Sequence, residues 1–211
     1  TSLNILSVPR TKNYSLTLSD GTKIEMNSKT ILRFPFQFKR KTREVYLEGE
    51  AYFKVAKDKD HPFIVHARGS EIRVLGTVFN LNTYDSSFTK TSLVEGSVVA
   101  SNAMTKVQLK AGFEASTSKA GGKISVEKFD ETEVLSWRKG RFNFRNASLH
   151  DLSSLLMRWY KVKVVFENPS GSKKTFSGEI WKNQPVELFL DNLKLSNNIP
   201  LQYSNGVVTF R

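Results

Sequence analysis

No cysteine occurs in the 211 residues, which rules out disulfides, thiol nucleophiles and thiolate metal sites while leaving the redox compartment open. No apolar run approaches the ~20 residues that a membrane-spanning helix needs. Histidine is scarce. His61, His66 and His150 fall in a turn, a strand and a helix start, without metal-ligand spacing, so neither metal nor cofactor is expected. Before residue 130 no helical hydrophobic period occurs either. What is there suits a folded protein: 39% hydrophobic and 25% charged residues. The net charge of +12 invites a nucleic-acid or anionic-membrane reading, but its distribution weakens that reading. Residues 1–136 hold 20 Lys and Arg against 15 Asp and Glu, and residues 137–211 hold 12 against 5, giving +5 and +7. A basic surface spread over both parts is the simpler account, and nucleic acid is not expected as a partner.

The stretch Arg43–Asn80 organises the chain. Val45, Leu47, Ala51, Phe53 and Val55 share one parity, and Tyr46, Glu48, Glu50, Tyr52 and Lys54 the other. That period of two predicts a half-buried strand with Gly49 as a bulge or kink. After a charged turn at Lys57–Asp60 come Phe63–His66 and then one strand, Glu71–Asn80, with a Gly-Thr pair in its middle. Upstream, Tyr14–Leu18 and Lys23–Met26 read as a hairpin around Asp20-Gly21. Ile31–Phe38 follows, demoted by Pro35 to an edge or a bend. Downstream come Ser92–Ser101, Lys106–Ala111, Phe113–Thr117 and Lys123–Val126, the last two flanking a turn at Gly121-Gly122. Many short strands predict a closed or sandwiched all-β domain over residues 1–130.

The acidic stretch Glu127–Glu133 reads as a linker, set at residues 131–136, and beyond it the pattern changes. Arg141–Phe144 is a strand, and Ser148 with Asp151 forms a capping-box pattern before a helix whose stripe is Leu149, Leu152, Leu156 and Trp159. Lys161–Glu167 and Thr175–Ile180 read as strands. Pro185 opens a second helix, with Val186, Phe189, Leu190 and Leu193 as its stripe. Pro200–Tyr203 and Val207–Arg211 close as a hairpin around Asn205-Gly206. The order β-α-β-β-α-β-β predicts a small α+β domain over residues 137–211.

Several words recur in one family's order and spacing: DGTKIEMN at Asp20–Asn27, REVYLEGEAYFKVAKD at Arg43–Asp58, HPFIVHA at His61–Ala67, VLGTVFN at Val74–Asn80 and LVEGSVV at Leu93–Val99. The chain resembles the periplasmic part of the FecR-type anti-sigma factors, the iron-citrate-sensor family. Trp137–Glu167 resembles that family's C-terminal domain, which is related to the short N-terminal signalling domain of secretins and TonB-dependent receptors. The resemblance implies a jelly-roll-like first domain in the periplasmic part of a single-pass inner-membrane protein, whose cytoplasmic region and membrane helix are missing here. It implies three partners: the signalling domain of a TonB-dependent outer-membrane receptor, an extracytoplasmic-function sigma factor bound through the cytoplasmic region, and periplasmic or intramembrane proteases. It also implies self-cleavage between Gly76 and Thr77 as a candidate reaction, by attack of the Thr77 hydroxyl on the Gly76 carbonyl. No local base is evident, so a non-enzymatic role is expected.

The remaining candidates follow from pattern. An unpaired sheet edge in the second domain accepts a partner's strand. Thr175, Phe176, Ser177 and Gly178 form one candidate edge, and Val207, Val208, Thr209 and Phe210 the other. Glu48 and Glu50 lie two apart and read as an exposed charged face rather than a glycosidase pair. WRKGRFNFR at Trp137–Arg145 interleaves basic and aromatic residues like an RNA platform, but Phe142 and Phe144 share a parity that fits a buried face better. A carbohydrate-binding β-module is the alternative reading of the whole.

Overall fold

The computed structural model describes residues 2–39, 41–168, 175–197 and 199–211. The chain divides into two compact units, the first running to Val134 and the second from Leu135 onward; residues Arg10–Lys12 belong to the second.

The strands of the first unit are β1 (Leu3–Val8), β2 (Tyr14–Thr17), β3 (Lys23–Met26), β4 (Thr30–Pro35), β5 (Arg43–Glu48), β6 (Glu50–Lys54), β7 (Phe63–Ala67), β8 (Ser70–Val74), β9 (Val78–Asn82), β10 (Phe88–Glu95), β11 (Val98–Ser101), β12 (Lys106–Leu109), β13 (Phe113–Ser118) and β14 (Ile124–Lys128). Among the described residues they form two seven-stranded sheets, ordered β1-β4-β5-β7-β8-β11-β12 and β14-β13-β10-β9-β6-β3-β2. Leu32, Val45, Leu47, Phe63 and Ile72 from one sheet share a core with Ile24, Phe53, Phe79, Leu81 and Leu93 from the other. The unit is a β-sandwich, and its hydrophobic burial is the main term holding it together.

Three runs read as single strands are each two strands in different sheets. The run over residues 43–54 is split at Gly49 into β5 and β6, Glu71–Asn80 at Gly76 between β8 and β9, and Ser92–Ser101 at Gly96 between β10 and β11. Of the two readings of Gly49, bulge or kink, it is therefore the kink, a corner between sheets, and Gly76-Thr77 lies at a crossing rather than inside a strand. The alternation misled because odd-numbered residues face the core on both sides of Gly49, so the pattern runs through the corner unbroken. Two of these three corners need glycine most. Gly49 has φ +114°, and a Cβ there would sit 2.5 Å from Thr30 Oγ1 and 2.7 Å from Thr30 Cα; Gly76 has φ +148°, with Lys57 Cα at 2.7 Å.

Other expectations shift too. β4 lies between β1 and β5, so it is not an edge; Pro35 ends the strand opposite Leu3, beyond the β5 pairing. The covering strand β1 carries no clear signal in the sequence. Glu127 and Lys128 finish β14, and Glu131–Val134 form a helical turn, α1, so little of the acidic stretch is a plain linker.

In the second unit a 3-10 turn at Ser136–Lys139 leads into β15 (Arg141–Ser148), α2 (Leu149–Trp159), β16 (Lys163–Phe166), β17 (Thr175–Trp181), α3 (Val186–Asn197), β18 (Leu201–Ser204) and β19 (Val207–Phe210). The Ser148 hydroxyl accepts the Asp151 N–H at 3.2 Å and Asp151 accepts the Ser148 N–H at 3.1 Å, a complete capping box. Leu149, Leu152, Leu155, Leu156 and Trp159 bury the inner face of α2, and Val186, Leu190 and Leu193 that of α3. Phe142 meets Trp159 edge-on, and Phe144 meets Phe189 likewise. The strands form a β15-β17 pair and a β16-β19-β18 sheet.

The corner makes a prediction. Gly49→Ala, forced onto Thr30, lowers the unfolding free energy by at least about 2 kcal/mol. Gly112→Ala, at φ +84° with nothing within 4 Å of the new Cβ, costs about 1 kcal/mol. Chemical denaturation of both variants measures the difference.

Candidate functional site

The second unit holds two groups of strands, and their edges differ. β19 is the central strand of its sheet, parallel to β16 on one side and antiparallel to β18 on the other. Val207, Val208, Thr209 and Phe210 therefore have both backbone edges in use and cannot accept another strand, which corrects one of the two candidates. β17 pairs with β15 alone among the described residues. Thr175, Phe176, Ser177 and Gly178 lie on this open strand, although the Phe176 side chain turns inward and is buried.

The direction of each backbone group on β17 follows from one hydrogen bond. The Asn143 N–H donates to Ser136 Oγ at 3.2 Å, so Asn143 faces away from β17. Its register partner is Glu179, and directly opposed residues in an antiparallel pair both face inward or both outward. Glu179 therefore presents its N–H and C=O to the free edge, and alternation gives Ser177 and Trp181 the same direction. The Trp181 carbonyl agrees, since it accepts from the Tyr160 hydroxyl at 2.7 Å. The opposite edge of the pair is partly covered by Ser136.

An aromatic and cationic cluster ends the edge. The Arg141 guanidinium lies 5.6 Å from the exposed Trp181 ring and pairs with Glu179 at 3.6 Å. The Lys182 ammonium lies 5.5 Å from the Trp159 ring. Burial pushes it down to about 8, and the neighbouring Lys12 acts in the same direction. Burial raises the Tyr160 phenol to about 12. An exposed Trp with a half-buried Arg beside it, at the end of a strand edge that no described strand pairs, suits a protein partner.

The other expected residues scatter. Thr77 is 4% exposed and donates its hydroxyl to the Ser97 carbonyl at 2.9 Å. Glu48 pairs with Arg33 on one sheet. Glu50 is in the other sheet and buried, accepting from Asn27 at 2.8 Å and from Asn80 and Asn82 at 3.0 Å each. Glu50 is thus no part of an exposed charged face; three carboxamides satisfy it. The histidines are apart: His61 bonds Asp58, His66 stacks on Tyr46, and His150 is exposed in the first turn of α2. No group of three or more metal-binding side chains occurs among the described residues. Arg43, counted above within the basic surface charge, is 3% exposed and binds Asp20 at 2.7 Å and the carbonyls of Ala56 and His61. Only its strand parity, shared with Val45, hinted at burial.

Comparison with known proteins gives a consistent result. Residues 5–99 match the family model described as FecR protein, and residues 141–210 match the one described as FecR, C-terminal. The chain belongs to the FecR family of anti-sigma factors. Two crystal structures of a "putative anti-sigma factor" from Parabacteroides distasonis ATCC 8503 are similar to this FecR chain over its length. Each has a TM-score of 0.89 and 26% identity, covering 99% of this chain and 98% of the other. Among curated proteins there is no match. In FecR terms, the open β17 edge lies inside the C-terminal match and the Gly76-Thr77 corner inside the first.

Lys182 yields a pH prediction. Its folded pKa is lowered, so between pH 8 and about 10 the unfolded chain binds more protons than the fold. The unfolding free energy of the second unit therefore rises with pH across that window, the penalty being fully present below it. Trp137, Trp159 and Trp181 all lie in this unit, so tryptophan fluorescence follows it selectively. Lys182→Met flattens the rise.

Proposed function

We propose that this chain is the periplasmic signalling part of a membrane-anchored FecR regulator. Its second unit receives the N-terminal signalling domain of a TonB-dependent outer-membrane receptor. The observation that carries the reading is the seven-residue strand β17, which no strand among the described residues pairs along its outer edge and which ends at Trp181 beside Arg141 of β15. Backbone pairing along Ser177 and Glu179 supplies affinity, and the exposed aromatic and guanidinium supply selectivity. Binding then biases the regulator toward proteolysis, which frees the sigma factor on the cytoplasmic side. Opening of a strand crossing such as Gly76-Thr77 is the step such proteolysis would need. The role is binding, without a catalytic step in this chain, and the protein stays a single intact species by mass spectrometry on long incubation.

Titration calorimetry of the whole chain against the signalling domains of receptors encoded beside it tests the reading. Saturable one-to-one binding is expected. Glu179→Pro, which removes an outward N–H, abolishes it, while Trp181→Ala weakens it by about tenfold (about 1.4 kcal/mol). Tryptophan fluorescence checks that Glu179→Pro remains folded. Binding of equal strength in both variants would remove the β17 edge from the mechanism.

A further inference from the structure

A second surface lies on the first unit, independent of the receptor-binding edge. On the outer face of the sheet β1-β4-β5-β7-β8-β11-β12, the register sets five side chains in one row. Arg33 is opposite Tyr46, Tyr46 opposite His66, His66 opposite Glu71, and Ser101 continues the row beside Glu71. The row lines a groove of about 720 Å³, with the β7–β8 turn at Arg68-Gly69 and the Asn102-Ala103 loop among its borders. That volume lies within the range of about 300–1,000 Å³ usual for ligand sites.

The chemistry of the groove is specific in what it excludes. Its charged lining is Arg33, Arg68, Glu48 and Glu71, two of each sign, so it favours neither a polyanion nor a polycation. Tyr46 and His66 stack with centroids 4.7 Å apart and planes 23° from parallel, both rings half-exposed. Polar contacts link these side chains and their neighbours: Arg33 to Glu48 at 2.8 Å, His66 Nε2 to Glu44 at 3.2 Å, and Arg73 to Glu71 at 3.6 Å. Fixed planar carboxylates and guanidinia offer paired acceptors and donors, which match vicinal hydroxyls. Stacked rings offer an apolar platform to the C–H face of a sugar.

We propose that this groove binds a short, uncharged oligosaccharide along the Arg33–Tyr46–His66–Glu71 row. The regulator would then read a neutral glycan directly, in addition to a protein partner. The rows of an extended peptide would need a deep apolar pocket for alternate side chains; apart from the aromatic pair the apolar lining is Leu47, Ala67 and Ala103, and Leu47 and Ala67 are buried in the core.

The test is an amide-resolved NMR titration of the whole chain with neutral probes: gluco-, manno-, xylo- and N-acetylglucosamine oligomers of two to four units. The expected result is saturable shifts at Tyr46, His66, Glu71 and Ser101 with at least one probe, and none in the second unit. Tyr46→Ala weakens that binding at least tenfold, and Glu71→Gln, which keeps size and shape, weakens it several-fold. Val45 and Leu47 carry the core on that strand, so the outward Tyr46→Ala leaves the sandwich intact. Absence of shifts with every probe at millimolar concentration overturns the proposal. So does binding of unchanged strength in both variants, or a row that responds only to a peptide.

Discussion

The first unit depends on one constraint: a chain that feeds two facing sheets must cross between them without leaving polar backbone stranded in the core. The tightest crossings bring main chain against main chain, and a side chain at the corner there has no room. Gly49 against Thr30 and Gly76 against Lys57 show the closeness required. The buried polar residues gather at the same places. Glu50 follows the Gly49 corner and is held by three asparagine carboxamides. The Gly49 N–H donates to Thr83 Oγ1 at 2.7 Å, and the Thr30 hydroxyl donates to the Glu50 carbonyl at 3.2 Å. Buried groups of this kind stabilise only when fully paired, so they specify the crossing as much as they strengthen it.

Arg43 performs the same task elsewhere in the sandwich. Its guanidinium gathers Asp20, the Ala56 and His61 carbonyls and the face of Phe63, while Thr22 ties Asp20 to the Ala56 N–H. Removing one member leaves a buried charge or donor without its partner, which costs more than the pair itself contributes. A sandwich closed in this way keeps its alternating outer face free for other use, and the groove row at Tyr46 lies on that face.

The second unit solves a different problem with less core. Two helices bury their leucine stripes, and β19 is covered on both sides, yet among the described residues no strand pairs with the outer edge of β17, whose end carbonyl at Trp181 accepts from the Tyr160 hydroxyl. An open edge is a hazard for aggregation unless it has a use or a guard. Here the exposed residues along it are polar apart from Gly178 and the terminal Trp181, which favours pairing with a chosen partner over self-association.

Much of this was legible from residues alone. The capping box at Ser148 and Asp151, the leucine stripes, the Asn205-Gly206 turn and the inward parity of Phe142 and Phe144 are local signals, set by neighbours within a few residues. The family words lie in such local stretches too. What stayed hidden was decided by residues far apart in sequence. Alternation continues through Gly49, so no periodicity marks the change of sheet. Strand β1 has no pattern of its own and forms because β4 offers an edge. Glu50 and Arg43 look like surface charges until Asn80 and Asp20 arrive from other strands. Nor does a four-residue strand such as Val207–Phe210 announce that it will be central. Sequence determines period, caps and turns because those are short-range; only the tertiary structure decides which edges pair, since that depends on which distant strands compete for them.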